Sequence, residues 1–207
     1  MEMLLAVGVD NMTKLQKGVT VYGILFHSWV ADSNLRMIET ERKDKMETVY
    51  VKANLTFDRP MENTVRTFLR DFCDAKHIQR NVQEIFKNVP DWKAKGLFGT
   101  LGVHGEFYTG KDNYGVQSDN PPYTQPTHYC GWKMGIPYNR EENKLIWNTY
   151  DHGENEPDDV VSWLIYLILN VFEPLGYLVS GKFTASKSGC PTLEVEVKYN
   201  KLSVVEL

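Results

Sequence analysis

The sequence predicts an α+β fold of mostly antiparallel sheet with three main helices, in the order ββαα followed by βββαβββ. Strand-like segments come in runs and the helical ones fall between them, with no βαβ alternation to demand a parallel sheet. Hydrophobic residues make up 42% and aromatic residues 12% of the 207 positions, which supplies a core and excludes global disorder. The same order suggests two subdomains. Residues 1–96 would form a hairpin plus two helices, and residues 97–207 an antiparallel meander around one buried helix.

Val19–Val30 (VTVYGILFHSWV) is rich in β-formers and apolar on both faces, the pattern of a covered central strand. The alternating charges of Glu39–Lys45 read as a solvated turn. Thr48–Phe57 then alternates cleanly: Val49, Val51, Ala53, Leu55 and Phe57 face inward and the polar residues face water, making it the second arm of a long hairpin. Asp58 as cap and Pro60 in the first turn open a helix whose stripe is Met61, Val65, Phe68, Leu69 and Phe72. Asp74 stands where it would cap a second helix carrying Ile78, Val82, Ile85 and Phe86 inward, with Asn88-Val89-Pro90 as its stop.

Leu97–Tyr108 (LFGTLGVHGEFY) reads as a β segment broken by Gly99, Gly102 and Gly105, which signal bulges or close backbone approach. No Lys-Ser/Thr pair and no helix follow, so this is not a phosphate loop. Residues 109–127 (TGKDNYGVQSDNPPYTQPT) form a polar loop longer than ordinary connections, a length that marks a loop as either mobile or functional. Thr127–Met134 and Lys144–Tyr150 are predicted strands joined by a charged turn. A helix follows with Asn155 as cap, Pro157 in the first turn, and Asp158 and Asp159 complementing its dipole. Its interior is apolar over most of its circumference, so it must be covered on more than one side. Pro174 and Gly176 end it, and the strands Tyr177–Ala185, Thr192–Tyr199 and Leu202–Glu206 close the chain, the last two through a tight turn at Asn200-Lys201.

Lys plus Arg total 23 against 27 Asp plus Glu, a net charge of −4 with a pI of about 5.8. Nucleic-acid modules usually have a pI above roughly 9, so direct nucleic-acid binding is not expected. Cys73, Cys130 and Cys190 are odd in number and scattered, which fits a reducing cytosol and supplies no metal or redox pair. Met3–Val7 is too short for a signal-peptide core. The most apolar stretch, Val160–Phe172, has 13 residues where a membrane span needs about 20, so a buried helix and no membrane association are expected.

Candidate chemistry is sparse. His128-x-Cys130 would put two ligands on one strand face, but no further ligands stand at metal spacing, and no metal or cofactor is expected. No nucleophile elbow, H-E-x-x-H or EF-hand loop occurs. A small metal-dependent or Cys/His hydrolase, or a nucleotide-processing enzyme, built spatially from His128, Cys130, His152 and Asp151 stays open as an alternative, because catalytic triads are defined in space. Asp151, Glu154, Glu156, Asp158 and Asp159 place five carboxylates within nine residues. They read as a charged helix entry, as a surface for a basic partner, or as a divalent-metal or carboxylate-dyad site. Tyr114 and Tyr123 lie in the long loop, and Tyr is a residue that carries protein interfaces.

Leu145-x-Trp147, Trp163-Leu164-x-Tyr166-Leu167-Ile168, Phe172 and Pro174-x-Gly176-Tyr177-x-x-x-Gly181 resemble a group of small, uncharacterised α+β proteins of phages and bacteria. The resemblance spans roughly residues 97–205 and carries no catalytic residue; Leu175 and Asn148-Thr149 depart from its usual Trp and Asp-Gly. It implies a mobile-element origin. Small proteins of that kind without enzyme motifs often bind and disable a host defence component, as anti-CRISPR proteins do. The resulting expectation is a non-enzymatic protein of the bacterial cytoplasm that inhibits a defence component, such as a nuclease with a basic surface. Its contacts would come from the acidic cluster, from Tyr114 and Tyr123, or from both. An immunity or housekeeping interaction protein is the further alternative.

Overall fold

The computed structural model describes residues 49–135, 143–148 and 155–207. The predicted strand at 19–30 and the turn at 39–45 lie outside them. The described chain forms an α+β structure: α1 (Asn63–Asp74), α2 (Val82–Asn88) and α3 (Pro157–Leu167) accompany a six-stranded antiparallel sheet and a two-stranded ribbon. The large sheet runs β4 (Trp132–Met134), β5 (Lys144–Trp147), β1 (Tyr50–Phe57), β6 (Val179–Ser186), β7 (Leu193–Lys198), β8 (Lys201–Glu206). The ribbon pairs β2 (Gln79–Arg80) with β3 (Val116–Ser118).

β1 shows the alternation read from its sequence: Leu55 and Phe57 are buried, while Tyr50, Lys52, Asn54 and Thr56 are exposed. It lies inside the sheet, pairing with β6 along its whole length and with β5 at Leu55 and Thr56. Residues on both sides of position 96 therefore share one sheet and one core. Gly181 sits opposite Leu55 with φ +137, and a Cβ there would stand 2.0 Å from the Asn54 carbonyl oxygen, so only glycine lets these central strands close.

α3 is enclosed as its all-round apolarity requires. On the sheet side, Trp132 donates its indole N–H to the Val160 carbonyl at 2.8 Å and meets Phe183 edge-on at 5.2 Å. On the opposite side, Trp163 packs against Phe72 of α1 and against His77. A π-helical turn, Ile168–Phe172, extends the helix, and a turn through Gly176, with φ +72, leads the chain away from it. Among the described residues no helix is long and apolar enough to cross a membrane.

Local details differ from the sequence reading at several points. α1 is entered through Glu62 without a side-chain cap, because the Asp58 carboxylate instead accepts from the Leu178 N–H at 2.9 Å and ties β1 to β6. α2 starts at Val82 rather than near Asp74, with Asn81 accepting from the Gln83 N–H; Gln79–Arg80 is spent on the ribbon, and Phe86 is partly exposed against Trp92. Leu97–Tyr108 is not a strand: its three glycines take φ of +80, +77 and +77, and the one pairing is Leu97 with Thr100. α3 is capped by Glu156, which forms a reciprocal capping box with Asp159, while Asn155 is buried one position earlier.

Candidate functional site: a tyrosine-bearing lobe pinned by Arg80

The segment between α1 and β4 has little regular structure, so its loops need other fasteners. Arg80 is the principal one. Its side chain is buried, and its backbone N–H bonds the His104 carbonyl at 2.9 Å. Its guanidinium donates to the Tyr114 carbonyl at 2.7 Å and lies 5.0 Å from the centroid of the buried Tyr108 ring. Gly105 allows this approach, since a Cβ there would stand 2.9 Å from the Cβ of Arg80. One side chain thus joins the 97–108 segment to the 109–118 segment.

Asp112 completes the fastening. It accepts from the Tyr108 hydroxyl at 2.5 Å and from the Tyr114 N–H at 3.1 Å. Burial alone would raise its pKa, but those two donors and the charge of Arg80 bring it below the usual carboxylate value. Burial, reinforced by Asp112, pushes the Tyr108 phenol upward, so it remains a hydrogen donor.

Tyr114 and Tyr123 stand on this frame and point outward. Tyr123 is 78% exposed and meets the His104 ring edge-on at 5.8 Å; Tyr114 is 47% exposed. Val103 and Val116 add exposed apolar surface next to His104 and opposite Arg80 respectively. The arrangement has rigid aromatic side chains, half in water, on a backbone that is tied down; such residues lose little entropy on binding.

Phe98 is a residue that sequence reasoning missed. It is 60% exposed and holds φ +50 in a two-residue turn, where Leu97 and Thr100 exchange both backbone hydrogen bonds at 3.0 Å. An aromatic side chain at positive φ is costly, and such outliers concentrate at functional positions. The only sequence signal was the Phe98-Gly99 pair, because two-residue hairpins prefer Asn-Gly there.

The acidic cluster is placed differently. Glu156 caps α3, accepts from Lys187 at 2.7 Å and from the Cys190 thiol at 2.9 Å, and these contacts lower its pKa. Asp159 accepts from the Glu156 N–H at 2.8 Å, and burial raises its pKa. Asp158 is exposed, whereas Asp151 and Glu154 lie outside the described residues. Tyr114 and Tyr123 share one lobe; Glu156, Asp158 and Asp159 share one helix end.

The His128-x-Cys130 pair does not form a ligand face. β4 begins only at Trp132, Cys130 is buried, and the His128 imidazole is hydrogen-bonded to the Asp119 carbonyl at 2.6 Å. Cys130 and Cys73 instead both address the Trp132 carbonyl, and burial keeps Cys73 a neutral thiol. Among the described residues no group of three His, Cys, Asp or Glu side chains could hold a metal ion; His152 lies outside them. Comparison with protein-family profiles, with curated proteins and with solved structures finds no match to this chain.

Proposed function

We propose that this chain is a non-enzymatic binding protein of phage or mobile-element type that inhibits a bacterial defence component in the host cytoplasm by occupying one of its surfaces. The observation that supports this reading is the outward display of Tyr114 and Tyr123 on a lobe fastened by a buried arginine. Tyrosine, with two rotatable bonds and a polar tip, is enriched at the energetic centre of interfaces. Asp158, exposed at the start of α3, offers a second candidate contact surface, and Asp151 and Glu154 are candidates from the sequence alone. Glu156 and Asp159 are already engaged within the chain.

The test is an infection assay in bacteria carrying an active defence nuclease. Expression of the chain is expected to restore phage plating. Tyr114→Ala/Tyr123→Ala, confirmed folded by circular dichroism, is expected to abolish that restoration. Full restoration by the double variant, or none by the native chain against a panel of nuclease systems, would overturn the proposal. An immunity protein would use the same lobe and is distinguished by protection against a toxin in place of restored plating.

A further inference from the structure

The two edges of the large sheet are not alike. At β4 the edge is covered by α1, whose Cys73 thiol donates to the outward carbonyl of Trp132. β8 pairs with β7 alone among the described residues. The hairpin turn Tyr199-Asn200 and the bond from the Leu207 N–H to the Thr192 carbonyl at 2.9 Å fix the alternation of its ladder. Lys201, Ser203 and Val205 spend their backbone groups on β7, so those of Leu202, Val204 and Glu206 point off the edge. β8 has no proline and no bulge, and its charged residues Lys201 and Glu206 stand only at its ends. Natural edge strands are usually blunted by those devices.

We propose that β8 is a self-association edge and that its occupant is β8 of a second copy, joined antiparallel about a two-fold axis through Ser203. Such an axis pairs residues whose numbers sum to an even value, which matches outward-pointing residue with outward-pointing residue. With Ser203 on the axis, Leu202 faces Val204 twice on the inner face, where both side chains already pack against the core. These two pairs exchange four backbone hydrogen bonds. On the outer face, Lys201 lies opposite Val205 of the second copy, and Val205 is itself paired with Glu194. Lys201 and Glu194 are exposed and have no ion-pair partner among the described residues, so each copy offers a cation where the other offers a carboxylate one strand further on. No like charges are opposed. The alternative register centred on Val204 would set Leu202 against Glu206 on the apolar face and has no such charge match.

The test is the mass of the full chain in solution over a range of micromolar concentrations, by sedimentation equilibrium. A mass of twice 23.9 kDa is expected. Val204→Pro removes an N–H that points away from β7, and Ser203→Lys opposes two lysines on the axis; both are expected to return the chain to a monomer with unchanged circular dichroism. Ser203→Cys in a Cys190→Ser background is expected to give a disulfide-linked dimer with diamide, each pair of thiols being oxidised as diamide is reduced to its hydrazine. A native chain that stays monomeric overturns the proposal, and slow exchange of the Leu202 and Val204 amides in that monomer would assign the edge to another segment of the same chain. A dimer that persists in both Val204→Pro and Ser203→Lys also overturns it.

Discussion

The guanidinium of Arg80 lies over the Tyr108 ring at 5.0 Å while its Nη1 donates to the Tyr114 carbonyl at 2.7 Å, so one buried cation holds two loops that have almost no secondary structure. Removing it leaves that carbonyl unpaired and the tyrosine ring without its cation. Arg80→Met, close in length and uncharged, is expected to destabilise the chain by about 3 kcal/mol, the combined scale of a hydrogen bond to a charged group and a desolvated cation–π contact. Urea unfolding measures that loss, and limited proteolysis is expected to cut first within residues 97–125. Unchanged stability would show that Arg80 is not the fastener.

His77 provides a pH dependence. Its ring is buried against Phe72 and Trp163, donates Nε2–H to the Phe72 carbonyl at 3.1 Å, and burial lowers its pKa to about 3 from 6.5. The unfolded chain takes up a proton that the folded chain refuses. The stability contributed by neutral His77 is therefore complete above pH 6.5 and is lost as the pH falls from there towards 3. Between about pH 6 and pH 5, above the carboxylate range, the slope approaches about 1.4 kcal/mol per pH unit. His77→Gln is expected to lower stability at neutral pH and to flatten that slope; equal slopes in the two proteins would exclude His77 as its source.

The acidic helix entry separates structural from surface carboxylates. Glu156→Ala removes the cap of α3 and the partner of Lys187, a cost of about 1 to 2 kcal/mol. Asp158→Asn touches no described partner beyond the helix dipole and is expected to change stability by under about 0.5 kcal/mol. If Asp158→Asn also weakens inhibition in the plating assay, the charge at this helix end acts on the partner. Equal stability losses from both variants would contradict the capping arrangement.

Much of this architecture was legible because its determinants are local. The alternation of Thr48–Phe57 made β1, Pro157 with Asp158 and Asp159 made the start of α3, and three β-rich runs after Gly176 made β6, β7 and β8. The misreadings arose where the deciding contact is distant in sequence. Asp58 reads as a helix cap until Leu178 is folded against it, 120 residues away. Leu97–Tyr108 reads as a strand because a glycine's sign of φ is not written in its neighbours. The central position of β1 has no local signature, since β5 and β6 arrive from far along the chain. The candidate site was half legible: Tyr114 and Tyr123 are conspicuous by composition as candidates, whereas Arg80, which fastens the loops that carry them, resembles any surface arginine until its burial is seen.

The cysteines should respond unequally to alkylation. Cys73 and Cys130 are buried, and Cys190 is partly exposed with its thiol hydrogen-bonded to Glu156. That hydrogen bond, then burial and the carboxylate's charge, raise the Cys190 pKa and lower its thiolate fraction. Native protein is expected to react at one thiol and unfolded protein at three. Glu156→Gln is expected to accelerate the native reaction several-fold near neutral pH, because the neutral amide no longer opposes ionisation. Slower alkylation of the variant would contradict the contact.

Phe98 combines backbone strain with exposure. In the Leu97–Thr100 turn it occupies a position with φ +50, where asparagine is favoured and a bulky aromatic is not. Its side chain is largely in water, so little packing repays the strain. Phe98→Asn is therefore expected to raise stability by about 1 kcal/mol, measurable as a higher urea midpoint at constant slope. If the strained aromatic is kept for contact with the partner, the same variant is expected to restore less phage plating than the native chain despite its greater stability. A variant that is both more stable and equally inhibitory would leave the strain without a functional reason and confine the interface to Tyr114 and Tyr123. A less stable variant would mean that the Phe98 ring packs more than its exposure shows.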